Sequence, residues 1–223
     1  MLETFIPQLL RLPAAQRDLW PTLAPLAHQG FVLHGGTAIA LRLGHRDSID
    51  FDFFCDRSLD RTALFAAIPT LRLARPIQDE PNTYTVLAPI SGTEVKLSFF
   101  GELTFGRIGY PQWTHDRVAI VASLDDLMAQ ELKVVMQRVE AKDYQDIAAL
   151  LRHGLRLAEG LAGAETLFGP SFSPTECVKA LTYFKGASLV SLPKADRDIL
   201  IDAVRRLPRS FHPVSLLSLS LLP

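Results

Sequence analysis

The segment from residue 31 to residue 54 constrains the fold of this 223-residue chain more than any other part of its sequence. It begins with a short apolar run, Phe31–His34, and a glycine-rich turn then leads into a compact helix that Gly44 closes. A second strand follows over 48–54. A strand that turns directly into a helix points backbone N–H groups and the positive helix end outward. The segment therefore predicts a strand–helix–strand unit with an anion site at the turn.

The turn consists of Gly35, Gly36 and Thr37, and each residue suits the binding of phosphate. The glycines have no side chain to keep phosphate oxygens away from the main chain. The threonine adds a hydroxyl group. Because Gly-Gly turns occur in many proteins, the prediction depends on the residues that follow.

The second strand carries two aspartates, Asp50 and Asp52, on one face. They lie roughly 7 Å apart along the strand, where like charges repel unless a cation lies between them. Mg²⁺ binds a few carboxylate oxygens and keeps positions for phosphates, so this pair beside a phosphate cradle suits metal-dependent nucleotidyl transfer. The alternative is a solvated strand face, with the aspartates beside Arg46 and Arg57. The large apolar residues of the same strand favour a central position, where unpaired acids are costly.

The remainder of the chain predicts a mixed α/β half and then a helical half. Helices are expected over 1–29, with a restart at Pro21, and over 59–73, with an interruption at Pro69. Strands are expected over 72–78, 83–88, 94–100 and 117–122. From Ser123 onward the apolar spacing is helical, with one helix of about 30 residues ending at His153-Gly154 and two more near 174–186 and 194–206. We therefore predict an α+β protein with a mixed β-sheet and flanking helices in domain 1–122, followed by a helical domain over 123–223.

Four charged residues form a stripe on the predicted long helix. At 100° per residue, they fall within an arc of about 80° that borders the apolar face: Glu131, Arg138, Lys142 and Asp146. Cations in this stripe would neutralise a triphosphate, and Asp146 would orient Lys142. The alternative is an ordinary surface ion pair between Lys142 and Asp146, which contributes only about a few tenths of a kcal/mol.

The charge balance excludes two classes of protein. There are 23 Lys plus Arg against 24 Asp plus Glu, and 48% of the residues are apolar, which excludes an intrinsically disordered chain. Residues 1–125 carry 11 basic and 13 acidic side chains, and the remainder carries 12 and 11. Neither half therefore binds nucleic acid by bulk charge.

The cysteines and the apolar tail bear on the compartment of the protein. Two cysteines, Cys55 and Cys177, form no disulfide framework, and a reducing compartment is a simpler interpretation than a single bridge. The apolar tail over 214–223 is half as long as a membrane-spanning helix, and the N-terminal pattern predicts no secretory signal. The prediction is a soluble cytoplasmic protein without a membrane partner.

Together, these motifs resemble the nucleotidyltransferase AbiEii/AbiGii toxin family, which is part of the polymerase-β-type nucleotidyltransferase superfamily. The resemblance lies in six stretches, namely 35–37, 41–46, Ser48, 50–54, 94–100 and 137–147. It implies a nucleotidyltransferase-type mixed sheet and a transferase that moves a nucleoside monophosphate from NTP, with Mg²⁺ as cofactor, to an acceptor. In some members the acceptor is the end of a tRNA, and protein acceptors are the alternative. The resemblance also implies the toxin half of a toxin–antitoxin pair, with an antitoxin protein as partner.

The resemblance and the residues together assign roles. Asp50 and Asp52 are the expected metal ligands and, with Lys142 and Asp146, the expected catalytic residues. The residues expected to bind substrate are Gly35, Gly36, Thr37, Arg46, Ser48, Lys96 and Arg138. For Arg46 and its neighbours Arg42 and His45, contact with substrate phosphates and capping of the helix stay equal alternatives.

The sequence departs from the family pattern at two positions. The superfamily commonly has a third carboxylate on a later strand, where this chain has Lys96. Either Glu94, two residues earlier on the same face, replaces it, or the site has only two acids. Related sequences also tend to carry a lysine where this chain has Glu131. The second hypothesis is therefore a catalytically silent member that binds nucleotide or protein and acts as a regulator.

Overall fold

The computed structural model describes residues 2–223, without the side chain of Ala187. The chain divides into two compact units. The first comprises the residues up to Gly106, Tyr110–Ser123 and Ser218–Pro223, and the second comprises Arg107–Gly109 and Leu124–Leu217. The domains 1–122 and 123–223 stay a prediction, and the compact units differ from them mainly in these two short exchanged segments. Within residues 2–223, no helix combines the length and the apolar character needed to cross a membrane.

The first unit is built around one mixed sheet. Its strands are β1 (Thr4–Phe5), β2 (Val32–His34), β3 (Asp50–Phe54), β4 (Arg75–Glu80), β5 (Thr83–Ile90), β6 (Thr93–Phe100), β7 (Gln112–Thr114) and β8 (Ile120–Val121). Its helices are α1 (Ala14–Leu19), α2 (Pro25–His28), α3 (Gly35–Leu43) and α4 (Arg61–Ala67). The strand order is β1-β7-β8-β2-β3-β6-β5-β4. In the centre, β3 pairs antiparallel with β2 and parallel with β6, which confirms the predicted α+β class.

One face of the sheet forms the core of this unit. Alternate residues of the central strands are buried there, including Phe51 at 0% exposure, Phe53, Leu97 and Phe99. Phe53 and Phe99 stack with their ring centroids 5.8 Å apart. Because side chains alternate along a strand, burial of these phenylalanines directs the intervening residues of β3 to the opposite face.

The strands predicted over 72–78, 83–88 and 94–100 and the predicted end of α3 are confirmed, with the first strand at Arg75–Glu80. Strands β4, β5 and β6 pair antiparallel in sequence order. Gly44 follows α3 with φ +65°, and its N–H donates to the carbonyl of Ala40. A glycine adopts this left-handed conformation without the steric cost that a Cβ brings.

The helical prediction over 1–29 is confirmed only within residues 14–28, and the segment is broken into more pieces than the expected restart at Pro21 provides. The sequence places prolines at positions 7, 13, 21 and 25, and each removes a backbone donor and constrains the preceding residue. The pieces are β1, a 3₁₀ turn at Leu9–Arg11, α1, a 3₁₀ turn at Trp20–Leu23, and α2. β1 pairs with β7, a three-residue strand that the alternation pattern is too short to reveal.

The second unit contains five α-helices within its described residues. They are α5 (Leu124–Val134), α6 (Ala141–His153), α7 (Leu157–Phe168), α8 (Pro174–Thr182) and α9 (Lys194–Arg205). Helix α7 is not predicted from the sequence, because its glycines lower its helix propensity. A Cβ at Gly160 would lie 2.7 Å from the Cγ of Met128 on α5. The missing side chain therefore permits close packing of α7 on α5.

The predicted single helix from Ser123 to His153 is wrong. The helical pattern ends at Val134, and Glu140 has extended backbone angles before α6 begins. Across this break, Arg138 forms two hydrogen bonds of 2.9 Å with the Asp143 carboxylate in the first turn of α6. Residues five apart point about 140° away from each other in a continuous helix, so this pair requires the break. The 80° stripe therefore does not exist as one helix face.

Both cysteines are buried and free, as expected for a chain without a disulfide framework. Burial raises the pKa of the Cys177 thiol to about 12. The Cys177 thiol also lies 3.3 Å from the carbonyl oxygen of Leu132. Cys177 is therefore a packing residue of the second unit rather than a reactive thiol.

Candidate active site

The site in the first unit begins where β2 ends and α3 starts. His34 has an extended backbone, and Gly35, the first residue of α3, has φ +67°. From this residue the chain continues for nine helical residues to Leu43. The first N–H groups of a helix lack intrahelical acceptors and carry partial positive charge. The start of α3 therefore presents backbone donors for an anion.

The two aspartates of β3 lie next to this helix start. Phe51, between them, is buried on the core face, so Asp50 and Asp52 share the opposite face. His34 is the cross-strand partner of Asp52. A Cβ on Gly35 would lie only 2.9 Å from Oδ2 of Asp52. The Asp52 carboxylate is thus packed directly against the first residue of α3.

A pair of hydroxyl groups ties α3 to the beginning of β3. Thr37 is 3% exposed and donates to the carbonyl oxygen of Asp50. Its Oγ1 also lies 2.7 Å from Oγ of Ser48, which is buried as well. These contacts hold the acid-bearing strand against the helix start. They give Thr37 and Ser48 a positioning role, and the predicted contact of both with substrate stays a prediction.

We expect Gly35→Ala to lower both the stability and the nucleotide affinity of the protein. A Cβ in the left-handed region costs about 1–2 kcal/mol, and at this position it also displaces the Asp52 carboxylate. NTP binding measured by calorimetry should weaken by about tenfold. Gly92→Ala is the matched control, because Gly92 has φ +79° but a Cβ there meets nothing within 4 Å. Equal nucleotide affinity in the two variants would contradict the role of Gly35.

The neighbouring strand β6 presents no acid to the pair. Register pairs Asp50 with Lys96 and Asp52 with Ser98. The Lys96 Nζ lies 3.6 Å from Asp50 Oδ2. Glu94 instead forms an ion pair with Arg75, with 3.3 Å between Nη2 of Arg75 and Oε2 of Glu94. Of the two open alternatives, the structure therefore favours a site with two acids over one with Glu94 as third carboxylate.

The basic residues near the end of α3 differ in what they contact. Arg42 donates to Gln112 and to the carbonyl oxygen of Val121, and its guanidinium lies 4.4 Å from the ring centroid of Phe5. Burial lowers the pKa of Arg42 to about 10. Arg42 is therefore a structural residue that joins strands to the helix. Arg46 is half-buried and donates to the carbonyl oxygen of Asp47 at 3.0 Å.

The donor set at β3 fits one divalent cation in chemical type. Asp50 and Asp52 supply carboxylate oxygens on one face, and the Asp50 side chain is 25% exposed. Mg²⁺ binds through one or two carboxylates together with substrate phosphates and water. Among residues 2–223, no group of three His, Cys, Asp or Glu side chains is arranged to hold a metal. Asp50 and Asp52 thus match the ligand type that Mg²⁺ prefers, and metal binding by this pair stays a prediction.

The predicted site residues of the second unit lie at the start of α6. Arg138 is held by Asp143, whose side chain is 2% exposed, and this hydrogen bonding raises the pKa of Arg138. Lys142 is 42% exposed, and its Nζ lies 3.0 Å from Oε2 of Glu140. Asp146 is buried, which is inconsistent with an ordinary surface pair. Asp143 is not among the predicted site residues, although it lies within the Lys-Asp-x-x-Asp pattern at 142–146.

We expect Arg138→Lys to destabilise the protein by about 1.5–3 kcal/mol, the range for hydrogen bonds to charged groups. A lysine cannot reproduce the two parallel bonds of the guanidinium, and the buried Asp143 carboxylate loses a donor. Chemical denaturation measures the change. Lys179→Gln is the control, because Lys179 and Glu176 form an exposed ion pair, which contributes at most about 1 kcal/mol. Equal stability of the two variants would show that the Arg138 pair is dispensable.

Comparison with known proteins shows the fold class and the family of this chain. A crystal structure of a "putative nucleotidyltransferase from H. pylori" matches with a TM-score of 0.58 at 18% identity, over 86% of this chain and 92% of that one. The fold is thus that of the nucleotidyltransferases. The family model "Nucleotidyl transferase AbiEii toxin, Type IV TA system" matches residues 22–196, and the chain belongs to this family. It is also 31% identical over 163 residues to "Uncharacterized protein aq_aa25" of Aquifex aeolicus (strain VF5), covering 70% of this chain and 75% of that protein.

Proposed function

We propose that this chain is a Mg²⁺-dependent nucleotidyltransferase. The observation that carries the proposal is the Asp52 carboxylate packed against Gly35 at the start of α3, with Asp50 on the same strand face. In this proposal the phosphate site at the start of α3 and the metal site at Asp50 and Asp52 lie next to each other. The reaction transfers a nucleoside monophosphate from NTP to an acceptor and releases pyrophosphate.

In this proposal, residues of the first unit bind the triphosphate and the cation. Backbone N–H groups of Gly35, Gly36 and Thr37 bind the triphosphate, and Asp50 with Asp52 hold the cation. A bound Mg²⁺ supplies charge neutralisation at the phosphates and acidifies an acceptor hydroxyl. Thr37 and Ser48 keep the start of β3 in place through their hydroxyl contacts.

The predicted catalytic roles of Lys142 and Asp146 stay predictions that rest on the family pattern. Substrate binding by Arg46 and Arg138 is likewise a prediction that rests on the family pattern. Arg138 also has a structural role, because its two hydrogen bonds to Asp143 connect the segment after α5 to the first turn of α6.

A transfer assay tests the proposal. The purified protein is incubated with each of the four NTPs, labelled at the α-phosphate, together with Mg²⁺ and either total RNA or total protein. We expect label in one acceptor class, and loss of that label when EDTA is added. Absence of labelled product with all four NTPs and both acceptor classes would overturn the enzymatic proposal.

A silent member of the family is the second candidate, and the residues beside the acids favour it. Lys96 and Ser98 are the cross-strand neighbours of Asp50 and Asp52, where the superfamily pattern has a further acid. Calorimetry distinguishes the candidates. NTP binding that requires Mg²⁺ and both aspartates, without any labelled product, would favour the silent member.

The acceptor and the partner follow from the family and are proposed on that basis. The family description names a type IV toxin–antitoxin system, so we propose an antitoxin as cognate partner and an RNA, such as a tRNA end, as acceptor. The near-neutral charge of the chain means that RNA would be held by a local patch rather than by bulk charge.

A further inference from the structure

Lys96 is the charged residue of β6 that directly neighbours the acid pair. Strands β3 and β6 are parallel, and their register places Lys96 beside Asp50. The Lys96 Nζ lies 3.6 Å from Asp50 Oδ2, and the two side chains are 38% and 25% exposed. An ammonium group therefore interacts with a carboxylate oxygen that a metal ion would use.

The ammonium group changes the charge that a metal ion encounters. Lys96 places one positive charge beside the Asp50 carboxylate and so lowers the negative charge at that side of the acid pair. Ser98, beside Asp52, adds no charge. Because like charges repel, a divalent cation at Asp50 and an ammonium beside the same carboxylate disfavour each other. The free protein is thus a poorer metal ligand than its two carboxylates suggest.

The geometry of the pair also shows that the lysine is loosely held. Charge-assisted N–H···O bonds are typically about 2.7–2.9 Å long, so 3.6 Å is an ion pair without a close hydrogen bond. Lysine carries its charge on a flexible four-carbon stem with three rotatable donors. The ammonium can therefore leave Asp50 when a more negative partner, such as a triphosphate, enters the site.

We propose that Lys96 is a resident counter-ion of the acid pair that couples metal binding to nucleotide binding. Without NTP, Lys96 neutralises Asp50 and weakens the binding of a divalent cation. With NTP, the triphosphate supplies negative charge for both cations, and the metal binds tightly. This inference rests on the proposed function, because it takes the nucleotide site to lie at the start of α3.

A metal titration without nucleotide tests the first half of the proposal. Binding of Mn²⁺ to the full-length chain is followed by electron paramagnetic resonance, which counts free ions and needs no catalysis. We expect Lys96→Gln to bind Mn²⁺ about tenfold more tightly than the unmodified chain. Adding Asp50→Asn to Lys96→Gln should remove this gain. An unchanged Mn²⁺ affinity in Lys96→Gln would overturn the counter-ion role.

Arg75→Gln is the matched control for net charge. Arg75 lies on the same sheet, is exposed, and pairs with Glu94 rather than with the aspartates. Each variant removes one positive charge, so a general effect of charge would tighten Mn²⁺ binding in both. An equal gain in Arg75→Gln and Lys96→Gln would show that the position of Lys96 is irrelevant. Denaturation curves of all variants verify that the fold is retained.

The second half of the proposal is tested by repeating the titration with a non-hydrolysable NTP analogue. The analogue should raise the Mn²⁺ affinity of the unmodified chain more than that of Lys96→Gln. An equal enhancement in both proteins would exclude coupling through Lys96. Failure of the proposed function has a different signature, because a protein that binds no nucleotide shows no enhancement in either variant while its nucleotide-free titration still reports on Lys96.

Discussion

Asparagine in place of Asp50 or Asp52 is expected to lower nucleotidyl transfer by about a thousandfold or more. Each substitution removes one of the two carboxylates that we propose as metal ligands, and metal ions commonly supply several kcal/mol of transition-state stabilisation. The free energy of unfolding should change little in Asp50→Asn. The ion pair of Asp50 with Lys96 is long and partly exposed, and such pairs contribute about 0–1 kcal/mol. Initial rates with labelled NTP provide the measurement.

Glu94→Gln is the control for the loss of a carboxylate on the same sheet. Glu94 lies on β6 two residues before Lys96, and it pairs with Arg75. We expect this variant to keep the unmodified rate within about a factor of two, the usual size of a surface change. Transfer that survives in Asp50→Asn and Asp52→Asn would show that the chemistry lies elsewhere in the chain.

Phe51→Ala is expected to destabilise the protein by about 3–5 kcal/mol, the usual cost of removing a buried aromatic ring. Phe51 lies between the two aspartates in the sequence, and its side chain is fully buried on the core face. Its ring stacks with those of Trp20 and Phe53 at centroid distances of 6.0 and 6.3 Å. Domains of this size are stable by only about 5–15 kcal/mol. The loss is therefore a large fraction of the total, and urea denaturation would measure it.

Two substitutions with smaller expected effects serve as controls for Phe51→Ala. Ile49 lies two residues before Phe51 and is 60% exposed, so Ile49→Ala should change the free energy of unfolding by no more than about 0.5 kcal/mol. Phe51→Leu keeps much of the buried volume and should cost less than Phe51→Ala. If Phe51→Ala lowered the free energy of unfolding as little as Ile49→Ala, burial of Phe51 would not be what directs the aspartates to the opposite face of β3.

Local sequence was sufficient to predict the helix start and the acid-bearing strand. The Gly35-Gly36-Thr37 turn, the cap at Gly44 and the alternation of β3 all depend on residues within 20 positions of one another. Each follows from backbone preference or from a period of two. The structure therefore has α3 and β3 close to where the pattern predicts them.

The helical half shows where such patterns fail. Apolar spacing continues through 135–140 as if one helix ran from Ser123 to His153, yet Arg138 bonds to Asp143 across a break. The period of a helix does not encode a preference for a bidentate ion pair. Likewise, Gly160 lowers the helix propensity of α7, while its missing side chain is what permits packing against Met128.

The sequence by itself determined that two carboxylates follow a Gly-Gly-Thr turn and its helix and share one strand face, because adjacent residues and fixed backbone periods control that placement. Only the tertiary structure decided what lies beside those carboxylates. The pairing of β3 with β6 brings Lys96, 46 positions after Asp50 in the sequence, to 3.6 Å from its carboxylate, while Glu94 pairs with Arg75. Strand register depends on the packing of distant residues on the buried face, and no local pattern contains that information.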